Sequence, residues 1–188
     1  MSYVQGKVVF VGDASVGKTS IIYKYTNKTD PIETTIASSS ISCTVDYNGT
    51  PVTFNAWDTA GQEDYRCLVP MFVKGAQIAI IVFDITNRQS FSNIDKWIEF
   101  LAENCSVHTT YLVANKIDLQ YEVPLDEVIE YAEERKLKYF LTSAKSGQNV
   151  DVLFYTIAEQ IHQSTVTAEN KAEVTIKPTV DVEEKSCC

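Results

Sequence analysis

Apolar residues recur along the chain with two different periods, and the switch from one to the other predicts the elements. Val8 to Val11 is an unbroken apolar run, the mark of a strand buried on both faces. Over Thr19 to about Tyr25, the residues Ile21, Ile22 and Tyr25 offer one helical face, and the pattern fades at Thr26-Asn27. Asn27 to Ser40 holds no period and is rich in turn formers, so it reads as an exposed loop. Strict alternation follows. Ile41, Cys43, Val45 and Tyr47 share a face, Asn48-Gly49 is a tight turn, and Val52, Phe54 and Ala56 share a face of the return strand, which predicts an antiparallel hairpin.

Gln77 to Phe83 reads as a central strand, and Phe91, Ile94, Ile98, Leu101 and Cys105 mark an amphipathic helix over Ser90 to Asn104. Tyr111 to Ala114 is a further buried strand, Pro124 to Arg135 a helix with proline in its first turn, and Tyr139 to Leu141 a short strand. Val150, Leu153, Phe154, Ile157, Ala158 and Ile161 form the buried stripe of a last helix from about Asn149 to Gln163. From Ser164 onward the periodicity ends. That tail is polar, contains Pro178, and is expected to be disordered. The alternation of strands and helices predicts an α/β doubly wound sheet, mostly parallel, with one antiparallel edge pair.

Composition narrows the class. The 188 residues suffice for one well-buried domain and a tail, and 45% hydrophobic with 22% charged residues is ordinary for a folded soluble protein. A net charge of -9 argues against nucleic-acid partners, because no basic surplus exists to neutralise phosphates, and anionic membranes repel the chain on average. No apolar run approaches bilayer length and the N-terminus lacks a charged-then-apolar signal, so a cytosolic protein is expected. The five cysteines include no C-x-x-C pair, and His108 and His162 have no partners at ligand spacing, so no structural zinc site is expected.

The chemistry concentrates at element ends. Gly12-Asp13-Ala14-Ser15-Val16-Gly17-Lys18-Thr19 follows the first strand and opens the first helix, the order needed to turn backbone N–H groups inward around phosphate oxygens. Lys18 can reach the β and γ phosphates, and the Thr19 hydroxyl can serve Mg²⁺. Asp58, in Trp57-Asp58-Thr59-Ala60-Gly61-Gln62-Glu63, ends a strand at the carboxyl edge of the sheet, where ligands bind in α/β folds. The phosphate loop leaves ATP and GTP open. Asn115-Lys116-Ile117-Asp118 at another strand end favours guanine, because a carboxylate accepts from guanine's ring N–H and exocyclic amine. Asn115 would brace the pocket and the Lys116 stem would lie along the base.

These stretches in this order resemble the Rab family of Ras-superfamily small GTPases over residues 5 to 163. Gly12 to Thr19 match the phosphate loop, Thr35 the switch I threonine, Asp58 to Gln62 the D-T-A-G-Q motif, Asn115 to Asp118 the guanine motif and Ser143-Ala144-Lys145 the S-A-K motif. Trp57, Asp64-Tyr65-Arg66, Ile81-Val82-Phe83-Asp84-Ile85-Thr86 and Asn93-Ile94-Asp95-Lys96-Trp97-Ile98 resemble Rab members in particular.

The resemblance implies the P-loop small GTPase fold, with six strands, one antiparallel edge strand and helices on both faces. A GTP-binding domain would span 1–163 and a hypervariable tail 164–188. It implies a nucleotide site of Gly12, Asp13, Ala14, Ser15, Val16, Gly17, Lys18, Thr19, Ser20, Thr35, Gly61, Asn115, Lys116, Asp118, Ser143, Ala144 and Lys145. Mg²⁺ would be held by Thr19, Thr35 and, through water, Asp58, while Gln62 orients the attacking water and Lys18 stabilises charge on the transferring group. The Ala144 N–H would face the guanine carbonyl, with Lys145 packed nearby. Loss of the γ-phosphate would release the loops at Thr35 and Gly61.

The terminal Cys187-Cys188 resembles a double geranylgeranylation site, and with three lysines against five acids after residue 163 both lipid chains would be needed for anchoring. A monomeric GTP/GDP switch in vesicle trafficking on the cytosolic face of intracellular membranes is therefore expected, with an exchange factor, a GAP, a GDP-dissociation inhibitor and effectors as partners. Switch I departs from the family. No aromatic stands between Tyr25 and Thr35 to stack on guanine, the loop is about two residues shorter, and Ile36-Ala37-Ser38-Ser39-Ser40 replaces the usual I-G-x-x-F. Fast GDP release and atypical effectors are expected. Thr34 and Thr35 compete for the Mg²⁺ role, with Ile36 favouring the second, and Ala14 stands where a smaller or polar residue is common. The alternative, favoured by the altered switch I, is a nucleotide-loose scaffold without a hydrolytic cycle.

Overall fold

The structure, a computed structural model, describes residues 4–28, 38–59 and 69–174, with side chains described for 6–28, 38–59 and 69–167. The elements run β1 (Val4–Val11), α1 (Lys18–Thr26), β2 (Ser38–Tyr47), β3 (Thr50–Thr59), α2 (Val69–Val73), β4 (Ile78–Asp84), α3 (Arg88–Ser92), α4 (Ile94–Asn104), β5 (Thr109–Asn115), α5 (Leu125–Glu134), β6 (Lys138–Thr142) and α6 (Val150–Val174). The strands form one six-stranded sheet in the order β2-β3-β1-β4-β5-β6, and only β2 and β3 pair antiparallel. The predicted α/β architecture with one antiparallel edge strand is the one observed.

Alternation within the strands divides the core. Val8, Phe10, Ile78, Ile80, Val82 and Val113 pack with Ile21 and Ile22 of α1 and the α6 stripe. Their neighbours Val9, Val11, Ala79, Ile81, Phe83 and Leu112 pack on the other face with α2, α3, α4 and α5. Strand β4 is buried along its whole length, as its unbroken apolar run requires. Tyr25 is committed to this core. Its ring stacks on Phe154 at 3.9 Å between centroids, and its hydroxyl donates to Thr44 O at 3.2 Å.

Several boundaries differ from the sequence expectation. The predicted loop over Asn27 to Ser40 ends earlier, because Ser38, Ser39 and Ser40 pair with Thr59, Asp58 and Trp57 as the start of β2. Main-chain pairing on an edge needs no apolar side chain, so three serines hid a strand. The single helix expected over Ser90 to Asn104 is two, broken at Asn93, and α3 is capped by the Asn87 side chain, which accepts from Gln89 N and Ser90 N. The five-residue α2 is too short to show a period. Helix α6 passes Gln163 and reaches Val174, so the first part of the expected disordered tail is helical. Among the described side chains its buried stripe ends at Ile161, so burial no longer marks the helix beyond that point. The remainder of the tail lies outside the described residues, as do the expected sites Thr34, Thr35, Gly61, Gln62, Cys187 and Cys188.

Candidate nucleotide site

The loop between β1 and α1 is held by backbone that tolerates no extra atoms. Gly12 has φ +140°, and a Cβ there would lie 2.1 Å from Val82 O; Gly17 has φ +102°, and its Cβ would lie 2.3 Å from Asn115 Nδ2. Both glycines are therefore required by conformation and by space. The Lys18 ammonium is turned into the loop, donating to Gly12 O at 2.8 Å and Asp13 O at 2.7 Å. Burial lowers its pKa to about 8, against the opposing pull of Asp58 and Asp13. A buried ammonium inside a ring of backbone is suited to an anion.

Thr19 and Asp58 meet although 39 residues separate them, because β3 lies beside β1 and brings Asp58 level with Phe10. The Thr19 hydroxyl donates to Asp58 Oδ2 at 2.6 Å, and Asp58 has no solvent exposure. A hydroxyl and a carboxylate converging at the phosphate loop are hard oxygen donors that fit Mg²⁺. The Asp13 side chain does not face this centre. Its carboxylate accepts from Asn93 Nδ2 at 2.7 Å and from Trp97 Nε1 at 2.9 Å, both from the α3/α4 region.

The second half of the site is assembled from the ends of β5 and β6. Asn115 spans the two halves, donating to Val16 O of the phosphate loop at 2.9 Å and accepting from Thr142 Oγ1 and Ala144 N, each at 3.2 Å. The Ala144 N–H, expected on the guanine carbonyl, is thus given to Asn115 in this structure. Ser143 Oγ donates to Asp118 Oδ1 at 2.6 Å, and this bond first, with the Lys145 and Lys116 ammoniums adding to it, holds Asp118 below its ordinary pKa against partial burial. Asp118 is therefore a carboxylate at neutral pH, ready to accept. Lys116 has φ +67° and its ammonium pairs with Asp84 Oδ2 at 2.6 Å, which fixes its stem beside Asp118.

A cavity of about 530 Å³ runs between the two halves, lined by Ser15, Gly17 and Ser20 from the phosphate-loop side and by Asn115, Lys116, Asp118, Leu119, Ala144 and Lys145 from the base side, while Lys18, Thr19 and Asp58 lie outside its lining. Tyr23, Lys24 and Lys28 close its third side, and sequence reading missed them. Part of the signal was present, since Ser20, Tyr23 and Lys24 are spaced by three and four on α1, whereas Lys28 lies past the left-handed C-cap Asn27 and is brought in by the turn. The Lys28 ammonium lies 5.7 Å from the centre of the Tyr23 ring. Among the described residues no group of three or more His, Cys, Asp or Glu is placed to hold a metal by itself, so a cation here would depend on the Thr19 hydroxyl, the Asp58 carboxylate and its ligand's own oxygens.

A phosphate loop, a buried lysine, a hydroxyl-carboxylate pair and a carboxylate set for a base edge define a P-loop nucleotide-binding protein. The Ras family model matches residues 7–163. Ras-related protein Rab-5A of Dictyostelium discoideum is 40% identical over 179 residues, covering 93% of this chain and 89% of that one. Ras-related protein RABF2a of Arabidopsis thaliana is 37% identical and Ras-related protein Rab5 of Nicotiana tabacum 36% identical, each over 192 residues, 98% of this chain and 96% of theirs. The chain belongs to the Ras family and, within it, to the Rab small GTPases, which bind guanine nucleotide and are GTP phosphohydrolases.

Proposed function

We propose that this chain is a GTP/GDP switch that regulates vesicle trafficking, as the Rab-named relatives suggest. The observation that carries the reading is a cavity reaching from Ser15, Gly17 and Ser20 beside the phosphate loop to Asn115 and Asp118, with Asn115 bonded to Val16 O of the loop and Asp118 held by Ser143. On nucleotide binding, Lys18 exchanges the Gly12 and Asp13 carbonyls for β- and γ-phosphate oxygens, and the loop N–H groups complete the cradle. Thr19 and, through water, Asp58 would hold Mg²⁺ with Thr35, and the ion would supply neutralisation of phosphate charge. Gln62 would orient the attacking water, Gly61 would bind the γ-phosphate, and Asp118 accepts from the guanine edge. The family resemblance supports an exchange factor, a GAP, a GDP-dissociation inhibitor and effectors as partners, a monomeric state, and lipid anchoring of Cys187 and Cys188 on the cytosolic face of intracellular membranes. No helix among the described residues is long and apolar enough to cross a membrane.

The test is single-turnover hydrolysis by the full chain loaded with GTP and, separately, with ATP. Phosphate release from GTP at a rate on the order of 10⁻⁴ per second, with no retention of ATP, is expected. No phosphate release over many hours of incubation would replace the switch by the nucleotide-loose scaffold.

A further inference from the structure

The carboxylate of Asp13 poses a problem that the nucleotide site alone does not explain, because it puts a negative charge in the second position of a loop built for polyphosphate. The structure directs that charge away. Asp13 Oδ1 accepts from the Trp97 indole at 2.9 Å and Oδ2 from the Asn93 amide at 2.7 Å, while Asp13 O accepts from the Lys18 ammonium at 2.7 Å. One residue therefore joins helix α4 through its side chain to the phosphate-binding lysine through its backbone.

The anchors are themselves fixed. Trp97 is 1% exposed, so its ring cannot swing without opening the core between α4 and the sheet. Asn93 sits at the break between α3 and α4, where its Oδ1 accepts from Lys96 Nζ at 2.9 Å and Gln89 Nε2 at 3.2 Å, orienting the amide so that Nδ2 faces Asp13. The helix break has a use here, since it frees the Asn93 side chain to reach across 80 positions of sequence to the loop.

We propose that Asn93, Trp97 and the Asp13 side chain form a clasp that holds the phosphate loop in its nucleotide-ready shape, with Asn93 and Trp97 acting as positioning residues through Asp13. The clasp rests on the loop holding a nucleotide. It sets the Asp13 carbonyl, and hence the resting place of Lys18, and it neutralises the carboxylate with two N–H dipoles so that it does not repel phosphate. Helix α4 thereby becomes coupled to nucleotide retention, and what presses on α4 changes the rate of GDP release.

The experiment is a double-mutant cycle on release of fluorescent GDP from the full chain, using Trp97→Phe, Asp13→Ala and the pair. Each single variant is expected to release GDP about tenfold faster, and the pair no faster than the quicker single, because both break the same link. Leu101→Ala, a cavity in the same helix remote from Asp13, serves as the stability control and is expected to lower the melting temperature at least as far with release within about twofold of wild type. Additive effects in the cycle, unchanged release in the singles, or equal acceleration by Leu101→Ala would overturn the clasp. If Trp97→Phe does not fold, Asn93→Ala takes its place in the cycle with the same expectations. A wild-type chain that does not retain GDP at all would overturn the nucleotide reading together with the clasp, whereas a wild type that retains GDP and an additive cycle would overturn the clasp alone.

Discussion

At the phosphate end of the site the lysine and the carboxylate beneath the loop are withdrawn from solvent. Lys18 is 5% exposed and Asp58 0%, and both glycines are packed against groups of other strands, Gly12 against Val82 O and Gly17 against Asn115. At the base end the determinants are side chains on loops after strands, and the Lys145 and Asp118 side chains are 82% and 21% exposed. In the proposed switch the first region would recognise its ligand by shape and backbone, and one added carbon would be enough to spoil it. The second would recognise its ligand by a network of side-chain hydrogen bonds, each worth a modest amount. Asn115 is the joint between them, with one amide atom on the phosphate loop and the other on the base loop.

The sharpest way to break this contrast is Gly12→Ala. The new carbon meets a backbone oxygen that cannot move without shifting β4, at a φ that alanine adopts only under strain, so a loss of roughly 2–5 kcal/mol is expected. Thermal unfolding measures it, and a melting temperature near wild type would show that the loop yields more than its packing implies. At the base end the losses should be graded. Tyr23→Ala removes the ring on the open side of the cavity and is expected to speed GDP release by a factor corresponding to roughly 1–3 kcal/mol, with Tyr23→Phe close to wild type. Stopped-flow release distinguishes the two, and equal rates for all three proteins would remove Tyr23 from the site. That ring also bears on the switch I departure, since it offers an aromatic face from α1 where the loop sequence carries no aromatic residue before Thr35.

The smallest effect concerns protons. Lys18 without nucleotide titrates near 8, and phosphate oxygens raise that value, so binding above about pH 8 must draw a proton from solvent. The sign follows directly: affinity is level below pH 7 and falls as pH rises through 8, by up to tenfold per unit. Calorimetric titration with GDP in buffers of different ionisation heat should show uptake of somewhat less than one proton at about pH 9 and almost none at about pH 6.5. No uptake at the higher pH would mean that the ammonium is held charged by the loop carbonyls alone.

Much of this was visible in the chain before any fold was known. The loop from Gly12 to Thr19, the hairpin at Asn48-Gly49 and the β4 run are local signals, each satisfied by neighbours in sequence, and they stand in the structure where the pattern put them. Other features were hidden because their cause is not local. Ser38 to Ser40 pair as strand because β3 extends beside them, and α6 continues past Ile161 because helicity outlasts the burial that made it periodic. The break at Asn93 is invisible in a window that still shows steps of three and four.

By itself, then, the order of residues determined the class of fold, the phosphate and base motifs and the nature of the ligand, since these depend on backbone freedom, periodicity and functional groups that each stretch carries alone. Only the tertiary structure decided which groups meet. Thr19 reaches Asp58 through the pairing of β1 with β3, Asn115 reaches Val16 across 99 positions, and Asp13 turns its carboxylate to Trp97 on α4. Those encounters are set by the strand order and by the packing of helices on the sheet, which no single window of sequence contains.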